Sequence, residues 1–162
     1  MDISNAKVIV ISMTKSRKRR AFMDLKLKNL GIDYEFMDAV DASSVKEQYR
    51  DYESWCDIEV QKVLEGGLPS YACLMSHCLF FQNNPPGTYI VLEDDVYFHR
   101  NFHGIVESLP SDTMDRHDML YLGYNNYHLS REQSTGIDKG DLLLPVDRNC
   151  VTCGGYGLMY EI

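Results

Sequence analysis

The sequence predicts an α/β fold, a mostly parallel sheet flanked by helices within one domain spanning residues 1–162. Three observations carry this reading. Short apolar, β-branched runs alternate along the chain with amphipathic stretches. The first crossover, between the runs at 7–13 and 33–40, is short and helical in pattern, which implies parallel strands. The chain has 162 residues, 44% of them hydrophobic and 25% charged, which is enough for one core and too apolar for a disordered chain.

The elements follow in order. "KVIVISM" (7–13) reads as a buried strand. Ser16 is placed to cap the helix that starts at Arg17, whose apolar positions are Phe22, Leu25, Leu27 and Leu30. Gly31 supplies the stop. "DYEFMDAV" (33–40) is the second strand, and the charged stretch 41–67 is mostly helical in pattern up to Gly66-Gly67. "SYACLMSHCLFFQ" (70–82) is apolar on nearly every side, which predicts a deeply buried helix, and "NNPPG" (83–87) is a turn. "TYIVLEDDV" opens as a strand, "NFHGIVESL" is a short helix ended by Pro110, and "DMLYLGY" (118–124) is another strand. The polar stretch 128–141 reads as a mobile loop, and "LLLPV" (142–146) as an edge strand because of Pro145.

The net charge of −8 excludes a general nucleic-acid binder, which would present a basic face. The N-terminus lacks the basic start and long apolar stretch of a secretory signal, and nothing approaches a transmembrane run, so the expected location is cytoplasmic. Five scattered cysteines (Cys56, Cys73, Cys78, Cys150, Cys153) fit free thiols. Cys150 and Cys153 form a C-x-x-C, but no second such pair completes a structural zinc set, and ordinary thiols are the simpler reading.

The strand "YIVL" runs directly into Glu93, Asp94 and Asp95. Ligands bind beyond the carboxyl ends of strands in open α/β sheets. In an extended backbone Glu93 and Asp95 share a side, about 6.5–7 Å apart, with Asp94 opposite. Their repulsion costs about 2 kcal/mol at an effective dielectric of 20. A hard divalent cation such as Mg²⁺ or Mn²⁺ reverses that sign and can carry phosphate oxygens. Two readings of these residues therefore stand at this point: a metal platform for a diphosphate, and a solvated strand end whose acids cap a following helix.

Several motifs occur in one order: the opening strand with "SRKRR", "CLMSHCLFF", "YIVLEDDV", "DMLYLG" and "GGYGLMY". In that order the chain resembles glycosyltransferase family 25 over nearly its whole length. The resemblance implies a GT-A-type hexosyltransferase that takes a UDP-sugar, with galactose as the expected sugar and Mn²⁺ (or Mg²⁺) as the cation. The acceptor would be a hydroxyl of a glycan, lipid-linked or protein substrate. It implies Asp95 and Glu93 as metal ligands. Arg19, Arg20, Glu93, Asp94, Ser76, His77 and Tyr156 become nucleotide-side residues. On the residues alone, His77 on a buried helix is equally a core hydrogen-bonder, "KSRKRR" is also a solvated helix face, and Gly154, Gly155 and Gly157 fit a tight turn as well as a close ligand approach.

The implied reaction is inverting. An acceptor hydroxyl attacks C1 as UDP leaves, which needs a general base. Asp118 and Asp147 are unsupported candidates, so the base is unassigned. Two departures from the family pattern stand out: Ser70 and Ala72 replace its Glu and Gly ahead of the Ser-His helix, and the family pattern continues beyond "GGYGLMYEI". The expectation is thus a compact or C-terminally shortened form, with a nucleotide-sugar binder lacking turnover as the alternative. A phosphorelay receiver ranks low because its acidic pair follows the first strand. A purely structural module would leave the carboxylates indifferent to metal.

Overall fold

The computed structural model describes residues 6–55, 67–110, 113, 119–126 and 152–161. The elements in chain order are β1 (Lys7–Ser12), α1 (Arg17–Asn29), β2 (Tyr34–Asp38), a 3₁₀ turn (Ala42–Val45) and α2 (Lys46–Trp55). They continue with α3 (Gly67–Asn83), β3 (Thr88–Glu93), α4 (Phe102–Glu107), β4 (Met119–Asn126) and β5 (Thr152–Glu161). The predicted loop 128–141, the edge strand 142–146 and the stretch 56–66 lie outside the described residues.

The strands form one five-stranded sheet in the order β2-β1-β3-β5-β4. β1 pairs in parallel with both β2 and β3. β5 runs antiparallel to β3 and to β4. Four strands therefore share one direction and β5 alone is reversed, so the mostly parallel expectation holds with one inverted strand.

Alternation along the strands loads both faces of the sheet. Val8 and Val10 of β1, Ile90 and Leu92 of β3 and Met159 of β5 join Met23 and Leu27 of α1 and Val106 of α4 in one buried cluster. Ile9, Ile11, Tyr89, Val91 and Leu158 form the other cluster with Phe80 of α3. The chain is a three-layer arrangement, with α1 and α4 on one face and α3 on the other. Because both faces are covered, β1 and β3 read as continuous apolar runs.

Helix α1 ends as its sequence requires. Gly31 takes φ 67°, Ile32 N–H donates to the Leu27 carbonyl at 3.0 Å, and Gly31 N–H donates to the Lys28 carbonyl at 3.0 Å. This is a Schellman stop, and Ile32 and Leu27 both belong to the first cluster. At the other end Ser16 holds the cap position without a side-chain bond to the helix.

Three expectations are corrected. The buried line of α1 is Met23 and Leu27, while Leu25 is exposed. One turn at 100° per residue puts 23 and 27 together and turns 25 away. Helix α3 is not buried all round: Ala72, Ser76 and Phe80, four apart, face the sheet, whereas Leu74 and Phe81 are exposed. The glycine-rich segment 154–157 is not a tight turn but part of β5, with Gly157 paired to β3 and β4. A Cβ at Gly157 would meet Leu92 Cδ2 at 3.3 Å and Leu122 Cβ at 3.4 Å, so protein side chains occupy that space.

Candidate functional site at the carboxyl edge of the parallel strands

The parallel register brings three strand ends level. Ser12 pairs with Asp38, and Glu93 pairs with Ile11. β3 ends at Glu93, and Asp94-Asp95 form a turn whose next residue, Val96, returns to the core. The described helix that follows starts only at Phe102, with Asn101 at its cap position, so the acids do not cap a helix.

The three acids go to three different environments. Asp94 turns inward and is only 8% exposed. One of its oxygens accepts from Ser12 Oγ at 2.7 Å, and the other accepts from Arg19 Nη1 at 2.9 Å. Asp95 points outward, half-exposed, with Arg19 Nη1 at 3.6 Å. Glu93 faces α3, where Cys73 Sγ and His77 Nε2 each lie 3.7 Å from Oε1. Burial raises the Asp95 carboxyl above the ordinary carboxylate value, and the neighbouring charge of Glu93 adds to the rise against Arg19. Burial also pushes the Cys73 thiol up to about 11, with Glu93 and Asp95 contributing. The hydrogen bond to Asp94, and then its charge, hold Arg19 above its usual value.

The two arginines divide their work. Arg19 serves the acidic turn and stays half-exposed. Arg20 donates to the Ser12 carbonyl at 2.6 Å and to Asp38, and its guanidinium lies 4.9 Å over the Phe36 ring. It ties β1 to β2. Its Nε is buried without a partner. Ser76 is 1% exposed, accepts from Val40 N–H at 2.9 Å and donates to the Ala72 carbonyl at 2.8 Å. Its hydroxyl is used within the fold and docks α3 on the segment that follows β2. His77 presents Nε2 to Glu93, while its Nδ1 is buried without a partner. Tyr156 lies on β5. Asp118 and Asp147 lie outside the described residues.

The sequence reasoning singled out neither Ser12, which orients Asp94, nor Cys73. The i, i+4 spacing of Cys73 and His77 is a signal that could have found the latter, since such pairs share one helix face. Glu93 and Asp95 carry carboxylate oxygens, the donor type a hard divalent cation takes, at an edge where burial first, and the charge of Glu93 second, hold the Asp95 carboxyl above its usual value.

Comparison with protein families matches residues 5–145 to the model of glycosyltransferase family 25 (LPS biosynthesis protein). Comparison with curated proteins gave no match. Among the described residues, no helix is long and apolar enough to cross a membrane. The matched segment contains β1 through β4 and the whole acidic edge, and on that match the chain belongs to glycosyltransferase family 25.

Proposed function

We propose that the chain transfers a hexose, galactose in the first instance, from a UDP-sugar to an acceptor hydroxyl with inversion, on a GT-A-type scaffold. The observation that carries this reading is the split of the acidic strand end. Asp94 is consumed in anchoring the turn, which leaves Glu93 and Asp95 at the sheet edge, with the Asp95 carboxyl held up by burial and then by the charge of Glu93.

Glu93 and Asp95 would hold Mn²⁺ or Mg²⁺, which supplies charge stabilisation for the departing diphosphate. Arg19 is the cation best placed to meet a phosphate oxygen, because it is half-exposed and already leans over Asp95. Arg20 and Ser76 support this edge through bonds within the fold. They fix the ends of β1 and β2 and the seat of α3, so that the edge keeps its shape. His77 and Tyr156 are assigned to the nucleotide side on the family resemblance.

Release of UDP from a panel of UDP-hexoses, with and without glycan acceptors, tests the proposal. Acceptor-dependent UDP release with one sugar preferred supports it. Nucleotide binding with no release under any acceptor would assign the chain to donor binding without turnover.

A further inference from the structure

We infer that Cys73, His77 and Glu93 form a binding site for a borderline-soft divalent cation of the zinc class. The three ligand atoms lie within 4.8 Å of one another. Cys73 and His77 come from one face of α3, and Glu93 from the end of β3. Both elements are anchored in the core, α3 through Ala72, Ser76 and Phe80 and β3 through its buried run.

Two of the three separations are close to those of ligands around an ion, and the third, between the α3 donors, lies within 4.8 Å. Zinc bonds of about 2.3 Å to sulfur and about 2.0–2.1 Å to nitrogen and oxygen place ligand atoms about 3.4–3.6 Å apart along the edges of a tetrahedron. The observed separations to Glu93 Oε1 are 3.7 Å from Cys73 Sγ and 3.7 Å from His77 Nε2. The latter is too long for a hydrogen bond, so the imidazole and carboxylate face each other without satisfying each other. Thiolate and imidazole donors favour Zn²⁺ or Co²⁺ over the hard ions suited to an all-oxygen set.

On binding, the Cys73 S–H bond breaks, its proton goes to solvent, and a sulfur–metal bond forms. Neutral His77 and ionised Glu93 complete the three protein ligands and leave a fourth position for water. Thiolate and carboxylate together balance the ion's two charges. Glu93 is shared with the pair assigned above to the donor, but this site requires neither nucleotide nor Asp95.

The test is titration of Co²⁺, then Zn²⁺, into the reduced, chelator-treated full chain without nucleotide. The expected result is one equivalent of Co²⁺ with thiolate-to-cobalt charge-transfer absorption and the intense visible bands of four-coordinate cobalt, bleached by Zn²⁺. Cys73→Ser should remove the charge-transfer band. Cys73 is exposed and serine is nearly isosteric, so the fold should be kept. His77→Gln and Glu93→Gln should each weaken binding by about tenfold or more, and Asp95→Asn should keep the band. No charge-transfer band in the wild type, a band that survives Cys73→Ser, or a band lost in Asp95→Asn would overturn the inference. Because UDP is absent throughout, any of these results leaves the donor reading to its own assay.

Discussion

Replacing Asp94 with alanine should destabilise the fold by about 1–4 kcal/mol, and the size follows from its two partners. Ser12 is 1% exposed, and its hydroxyl donates to Asp94 at 2.7 Å. Stranding that hydroxyl costs about 1–3 kcal/mol. The Arg19 contact at 2.9 Å adds less than its length implies, because the arginine side chain is 55% exposed. Such a pair is worth about 0–1 kcal/mol. Asp94→Asn keeps an acceptor for Ser12 and should cost only about 1 kcal/mol. At about 2–4 °C per kcal/mol for a domain of this size, the alanine variant should melt about 2–16 °C lower, and urea unfolding should give the matching free energy. The cycle with Ser12→Ala should show coupling of about 0.5–3 kcal/mol. A variant Asp94→Ala within about 0.5 kcal/mol of wild type would refute the claim that this acid anchors the turn.

Two further predictions concern the same edge and the strand beside it. Asp95 has a raised carboxyl, so the folded state holds its proton more tightly than the unfolded chain does. Its contribution to stability is therefore lost as pH rises from the ordinary carboxylate value through the raised one. In metal-free buffer the melting temperature of Asp95→Asn minus that of wild type should grow between acidic and neutral pH. A flat or falling difference contradicts the assigned environment. Gly157→Ala should destabilise by about 1–3 kcal/mol, read by urea unfolding. Its Cβ would sit 3.3 Å from a mobile Leu92 methyl but 3.4 Å from the less yielding Leu122 Cβ. A neutral result would mean that β5 has room there after all.

The layered fold was legible because β1 and β3 are covered on both faces and their residues are apolar without interruption. The Gly31 stop was legible for a similar reason, since one residue type serves one backbone geometry. β5 was not legible as a strand: Gly154, Gly155 and Gly157 weaken strand propensity, and only pairing with β3 and β4 makes the segment extended. Composition misled for α3, since Leu74 and Phe81 look like core residues and face outward. At the site, the sequence marked the acidic run but could not apportion it. An extended backbone would put Glu93 and Asp95 on one side, whereas the strand stops at Glu93 and the turn sends Asp94 inward to Ser12, a partner 82 residues away in sequence. Such a long-range bond leaves no local trace. The roles of Arg19 and Arg20 separated for the same reason, because Asp94, in the turn after β3, and Asp38, at the end of β2, claim them.

The central claim is that Glu93 and Asp95 jointly hold a divalent cation that receives a pyrophosphate. Its most direct measurement is the thermal shift produced by UDP with and without Mn²⁺, in wild type and in Asp95→Asn. At a hundredfold excess over Kd, binding stabilises by about 2.7 kcal/mol. At about 2–4 °C per kcal/mol the wild type should then melt about 5–10 °C higher with UDP and Mn²⁺ together, and the variant should lose that gain. An equal shift in the variant, or no shift in the wild type with any metal, would contradict the claim.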